Sequence, residues 1–275
     1  MEKIRVLFLC LFLAVFVHPV CAQDDFRRLS PADAERVLSE FRSYRMPGDF
    51  CMKFEITHYL RKSDDTESCA GTLYGTWEGG VPVLRMELVQ GGASRSYLLR
   101  GGKTPELWTL DEENRPVRMD KNSTEPFFKN LIFTPFELQT PFVYWENAQY
   151  ERTRRFRGRP VHFFKMTPPE SFSAENPDVG FVRIGFDRVY NALVSAEIFD
   201  TSGKLKKTFS LSRVQKVREQ YTIRELELRD DITRDKDEFV VTAAALNLRF
   251  PPAVFDPASL SKPAPVVPAR CFEQL

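Results

Sequence analysis

The sequence predicts a mainly β (α+β) chain: an antiparallel sheet, one N-terminal helix packed on it, and a short helical insert lying over it. Three observations predict this. Helical periodicity is confined to a stretch near residue 35. From residue 53 onward, apolar and polar residues alternate in short runs separated by turn residues. Between residues 125 and 138 the alternation gives way to a cluster of phenylalanines with two prolines.

The helix is well signalled. Ser30 is suited to the N-cap and Pro31 to the first helical position, and Ala32 to Arg45 follow. Ala34, Val37, Leu38 and Phe41 fall at i, i+3, i+4 and i+7, which makes one apolar stripe. Pro47-Gly48 ends the unit.

The period then changes to two. Phe54, Ile56 and His58 alternate with Lys53, Glu55 and Thr57. Short strands follow at Leu73 to Trp77, Val83 to Val89, Tyr97 to Leu99 and around Trp108, broken by Gly79-Gly80, Gly91-Gly92 and Asp111 to Asn114. The Glu125 to Leu138 stretch predicts one or two short helices over the sheet. Val143 to Trp145 leads back into strands. Tyr150 to Arg157 and Val161 to Met166 flank a hairpin turn at Gly158-Arg159-Pro160. Residues 168–180 read as a loop. Val182 to Phe186, Leu193 to Phe199 and Lys204 to Val217 alternate, with Asp200-Thr201-Ser202-Gly203 as a hairpin signal. Tyr221 to Leu228 shifts phase near Arg224-Glu225, the mark of a bulge. Phe239 to Leu248 closes the series, and Pro263 to Pro268 reads as an extended tail.

The chain opens with an export signal. Lys3 and Arg5 precede an apolar run from Val6 to Val17, then His18-Pro19 and Val20-Cys21-Ala22. About a dozen apolar residues are too few to span a bilayer roughly 30 Å thick. Cleavage is expected after Ala22, with lipid attachment at Cys21 as the alternative. Removing residues 1–22 takes two bases and one acid, so 39 Lys+Arg and 38 Asp+Glu become 37 of each. A neutral balance argues against nucleic acid as a partner.

Cys51, Cys69 and Cys271 remain, in a compartment that permits disulfides. With a hairpin turn near Asp64-Asp65, Cys69 faces about residue 60 and Cys51 about residue 78. The offset is roughly 30 Å along a strand, against a disulfide limit of about 7 Å between Cα atoms. A 51–69 bridge is therefore not expected. Cys271 can reach one of the two, or all three remain free thiols.

No catalytic centre is visible. The mature chain has only His58 and His162, and no metalloprotease, P-loop, nucleophile-elbow or dinucleotide motif is present. His58 reads as a core or edge residue, and Asp230-Asp231 with Asp235-Lys236-Asp237 as a solvated loop. No metal or cofactor is expected. Arg152, Arg154, Arg155, Arg157 and Arg159 crowd into eight residues. They read as a solvated strand or as a patch for phospholipid headgroups or an acidic partner. Of 24 phenylalanines, three leave with the signal. The rest either fill a core or line an apolar cavity closed by the insert. The lining candidates are Trp77, Trp108, Phe127, Phe128, Phe133, Phe136, Phe142 and Trp145.

The order of several short stretches resembles the LolA-like group of outer-membrane lipoprotein-sorting proteins. They are Leu107-Trp108-Thr109 with Arg115-Pro116-Val117-Arg118, then Phe133-Thr134-Pro135-Phe136-Glu137-Leu138, then Arg157-Gly158-Arg159-Pro160-Val161. Ala192-Leu193 through Gly203-Lys204-Leu205 and Pro251 to Phe255 complete the series. The resemblance covers most of residues 30–260 and implies an open antiparallel β half-barrel covered by an N-terminal helix and a short helical lid. It divides the chain into a signal peptide (1–22), a LolA-like lipid- or lipoprotein-binding domain (23–262) and an extended C-terminal tail (263–275). It implies a non-enzymatic periplasmic carrier or binder of lipoprotein acyl chains or lipid. The implied partners are lipidated proteins or lipid, with an inner-membrane release complex and an outer-membrane receptor. The alternative is a periplasmic scaffold of the same fold with a filled core. Family carriers hold the lid with an arginine after the second strand, whereas this chain has Gly75-Thr76-Trp77-Glu78 there.

Overall fold

The computed structural model describes residues 26–119 and 124–275. The expected export signal, its cleavage after Ala22 and the alternative at Cys21 lie outside them. Helix α1 spans Pro31–Ser43, with the Ser30 hydroxyl accepting from the Asp33 amide as its N-cap. The first meander follows as β1 (Asp49–Tyr59), β2 (Thr66–Glu78), β3 (Val81–Gln90), β4 (Ala93–Arg100), β5 (Glu106–Leu110) and β6 (Pro116–Met119). The insert carries α2 (Pro135–Gln139) and a 3-10 turn at Pro141–Tyr144. The second meander is β7 (Asn147–Phe156), β8 (Arg159–Thr167), β9 (Phe181–Asp187), β10 (Leu193–Phe199), β11 (Leu205–Val217), β12 (Gln220–Asp230) and β13 (Lys236–Leu248). Between β8 and β9 lies α3 (Glu170–Glu175), and β14 (Glu273–Gln274) ends the chain.

All the strands join one open antiparallel sheet, in the order β6-β5-β4-β3-β2-β1-β13-β12-β11-β10-β9-β8-β7, with β14 beside β13. The first and last strands of the domain, β1 and β13, meet in the middle. This topology has one consequence for function. The insert leaves from β6 and returns to β7, the two free edges of the sheet, so it has to cross the inner face from one edge to the other.

The two faces bury different clusters. The inner face carries α1 through Ala34 and Leu38, the insert, and rows such as Phe54, Ile56, Met86, Leu88, Phe164, Ile184, Phe239 and Val241. The outer face buries a smaller cluster around Cys51, Tyr74, Val83 and Leu98, covered by Val254, Phe255 and Leu260 of the C-terminal segment. Two glycines on β2 permit the inner packing. A Cβ at Gly75 would lie 2.0 Å from the Phe50 ring and one at Gly71 2.3 Å from the Phe54 ring. The missing side chains let both rings lie flat on the neighbouring strand.

Several expectations need correction. Glu125 to Leu131 is not helical, and α2 starts only at Pro135, where Thr134 and Glu137 form a capping box. Val143-Tyr144 ends a 3-10 turn and, as expected, leads back into the strands, with β7 starting at Asn147. The β7–β8 turn is Arg157-Gly158, with φ of 47° and 83°, because those two residues supply the left-handed pair a two-residue hairpin needs. Residues 168–180 contain α3, which buries Phe172. The bulge near Arg224 is present, where β11 and β12 lose register. The β1–β2 turn is centred near Lys62-Ser63, about two residues earlier than expected, so Cys69 pairs with Ile56 and Cys51 with Tyr74. The five-residue offset is odd, which puts the two cysteines on opposite faces of the sheet. All three described cysteines are free thiols, and burial pushes Cys51 up to about 12. The tail folds back, and Glu273–Gln274 pairs with Ala243-Ala244, beyond the stretch of β13 that β12 covers.

Candidate functional site

The inner face is occupied by the insert. Phe127 and Phe133 are fully buried (0 % exposed), and Phe128, Phe136, Phe142 and Trp145 are buried with them in one continuous cluster. The rings pack edge-on or tilted. Phe136 lies 5.5 Å from Phe142 and 5.4 Å from Phe172, Trp145 lies 5.1 Å from Phe172, and Phe133 reaches Phe239 of β13 at 6.1 Å. Six of the eight expected lining residues therefore come together.

The two other tryptophans do not join them. Trp108 pairs with Leu98 and packs in the outer cluster, because the β4–β5 register gives both residues the outward position. Trp77 shares the face of Leu73 but sits at the end of β2, with the Arg45 guanidinium 4.8 Å above its ring.

The insert has little regular structure to satisfy its own backbone. Side chains from four other elements do so instead. Asp237 of β13 is fully buried, and its Oδ2 accepts from the amides of Ile132 (2.6 Å) and Phe133 (2.8 Å). Its Oδ1 faces His58 Nδ1 at 2.7 Å. Arg95 of β4 donates to the Phe127 carbonyl (2.6 Å), with its guanidinium over the Phe128 ring. Lys207 of β11 reaches the Ile132 carbonyl (3.3 Å) and the buried Glu137 carboxylate (3.1 Å). Arg42 of α1 donates to the carbonyls of Val143 (2.7 Å) and Trp145 (2.9 Å). From within the insert, Gln139 donates back to the Arg100 and Glu106 carbonyls at the sheet edge.

These contacts form a set of latches over an apolar bed. Each satisfies a backbone group that would otherwise be buried without a partner. Burial raises the Asp237 carboxyl above its ordinary range, against the opposing pull of His58 and the two amides. Arg42 and Arg95 supply arginine contacts to the insert, although β2 ends without one.

The sequence reading missed this polar set. Asp237 was expected in a solvated loop, yet it lies inside β13 opposite His58. Extending the alternation of Phe239 and Val241 back by two residues puts Asp237 on the apolar face, which was the available signal.

The arginine run does not form one patch. Arg154 covers Phe163 at 4.2 Å on the outer face and meets Glu197 at 3.3 Å. Arg159 pairs with Asp187 at 2.8 Å, and Arg157 donates to Ser212 at 3.0 Å. Arg155 lies over Phe26, and Arg152 is exposed. Among the described residues no group of three or more His, Cys, Asp or Glu could hold a metal ion. No described helix is long and apolar enough to cross a membrane.

A scan against protein-family models finds no match, and a search of curated proteins finds none either. Solved structures do match. An outer membrane lipoprotein-sorting protein domain from Vibrio parahaemolyticus superposes with a TM-score of 0.68 at 14 % identity, over 82 % of this chain and 97 % of its own. A DUF1329 family protein from Desulfovibrio piger gives 0.70 at 13 % identity, over 84 % and 100 %. A LolA superfamily protein from Nitrosomonas europaea gives 0.58 at 12 % identity, over 81 % and 97 %. At these identities the likeness speaks to architecture, and on that architecture the chain has a LolA-like fold.

Proposed function

We propose that this protein is a non-enzymatic periplasmic binder of acyl chains, carried by a lipidated protein or a lipid, and that its insert is a displaceable plug. One observation carries the reading. The insert crosses the inner face from edge to edge, fills it with six aromatic side chains, and is held there mainly by side-chain bonds to its backbone. Displacing it exposes an apolar trough of the kind acyl chains fill. The apolar area gained by the ligand contributes about 25 cal/mol per Å², and the latches set how far the closed state is favoured.

The fold supports this, since a relative of the same architecture is described as a lipoprotein-sorting domain. Donor and acceptor partners at the two membranes belong to the same reading. The filled interior also fits a scaffold that binds protein through its surface and takes no lipid. Mass spectrometry of lipid extracted from the chain, purified without detergent, separates the two. Acyl chains in stoichiometric amount support the binder. A lipid-free protein that also takes up no apolar fluorescent probe leaves the scaffold.

A further inference from the structure

The β11–β12 hairpin runs past its neighbours. β10 pairs with β11 only as far as Ser210, and β13 pairs with β12 only as far as Glu225. Residues 211–224 therefore project as a two-stranded tip. One side of the tip is buried: Val217 joins the inner cluster, and the Thr222 hydroxyl lies 4.0 Å from Met52 Sδ. Tyr221 and Ile223 flank Thr222 and so point the other way, with Val214 paired to Ile223. Tyr190 of the β9–β10 turn brings its ring within 6.3 Å of the Tyr221 ring, and Val189 stands next to it. These five apolar residues are 40 to 68 % exposed. A contiguous exposed group of this kind marks a contact surface.

We propose that this tip docks the protein on an anionic lipid surface, with Tyr190, Tyr221, Val189, Val214 and Ile223 entering the headgroup layer. Tyrosine suits that layer, because its ring is apolar and its hydroxyl stays wet. The charge around the patch has the matching sign. Residues 211–225 carry Arg213, Lys216, Arg218 and Arg224 against Glu219 and Glu225. The adjoining Arg157 and Arg159 are balanced by Asp187 and Glu273, and Arg188, which has a partner of its own, adds nothing. Two positive charges remain in excess. Arg157 bonds only neutral oxygens, of Leu211 and Ser212, and a guanidinium nitrogen of Arg224 is buried without a partner. Arg213–Glu225 (3.6 Å) and Lys216–Glu219 (3.0 Å) are surface pairs, weak enough for lipid phosphates to compete. A second copy fits less well, since self-docking sets one positive tip against another. A protein interface of standard size needs about 800 Å² per partner, more than five partly exposed residues on a narrow hairpin supply. Asn191 of the same turn donates to the Val37 carbonyl of α1 at 3.0 Å, so docking brings the lipid beside the helix that lies over the inner face. The proposal holds whether or not that face takes an acyl chain.

The test sediments the full mature chain with phosphatidylglycerol vesicles, and with phosphatidylcholine vesicles as the neutral comparison. The expected result is pelleting with phosphatidylglycerol, weaker by about tenfold or more with phosphatidylcholine. The Tyr190→Ser/Tyr221→Ser variant changes two exposed residues, so its circular dichroism spectrum should stay unchanged while its vesicle affinity falls about tenfold or more. Arg213→Gln/Lys216→Gln should lose the preference for phosphatidylglycerol. Neither variant should alter uptake of an apolar probe by the inner face, which keeps this test apart from that of the plug. A chain that stays in the supernatant with phosphatidylglycerol vesicles, or a tyrosine variant that pellets as the wild type does, would overturn the proposal. So would a dimer in sedimentation velocity that the tyrosine variant abolishes, which assigns the tip to a second copy.

Discussion

His58 Nδ1 lies 2.7 Å from Asp237 Oδ1, and the second oxygen of that carboxylate holds two consecutive backbone amides of the insert. One buried side chain thus joins β1, β13 and the plug. Asp237→Ala leaves the Ile132 and Phe133 amides buried without partners, at a cost of about 3 kcal/mol. Chemical denaturation should show that loss, and hydrogen exchange should show it concentrated at the insert. An exchange pattern unchanged at Phe133 would contradict the role given to Asp237.

The pH dependence of this latch has a definite sign. The Asp237 carboxyl is raised above the ordinary aspartate value of 3.8, chiefly by burial. In the window just above 3.8 the native state binds a proton that the unfolded chain has already released. Its contribution to stability is therefore full below that window and declines as pH rises through the native value. The stability difference between wild type and Asp237→Asn should fall with rising pH across this window. A difference that is flat or rises there would be inconsistent with a buried, raised carboxyl.

Arg42 and Arg95 hold carbonyls at the two ends of the insert. Replacing either with Gln should cost about 1–2 kcal/mol, the value of a charge-assisted bond. If the plug is displaceable, uptake of an apolar fluorescent probe should become faster in both variants. Equal uptake rates in wild type and variants would separate these arginines from lid control.

The sheet and helix were legible because they obey local rules. Ser30-Pro31 caps α1 where the spacing of Ala34, Val37, Leu38 and Phe41 places a stripe, and alternation marks most strands. The edge-to-edge path of the insert was not legible, because it follows from β1 pairing with β13 some 190 residues away. The aromatic residues of the insert announced themselves by composition. Trp108 did not betray its face, since its orientation depends on the β4–β5 register. Asp237 was hidden by its neighbours Asp235 and Lys236, whose charges suggest solvent, while its partners Ile132 and Phe133 lie about a hundred residues away.

Gly75 gives a test of the sheet beneath the plug. A methyl there would meet the Phe50 ring at 2.0 Å. Gly75→Ala should destabilise the protein by about 1–3 kcal/mol through overpacking, read from denaturant midpoints. The double change Gly75→Ala/Phe50→Leu should recover part of it. Additive losses would show that the two residues do not share that space.

The displaceable plug is tested most directly by hydrogen exchange with and without a dipalmitoylated model lipopeptide. Displacement requires the Ile132 and Phe133 amides to lose protection at saturating lipopeptide, while Phe239 and Val241 in β13 keep theirs. Unchanged protection at Ile132 and Phe133, with the lipopeptide bound or not, would contradict it.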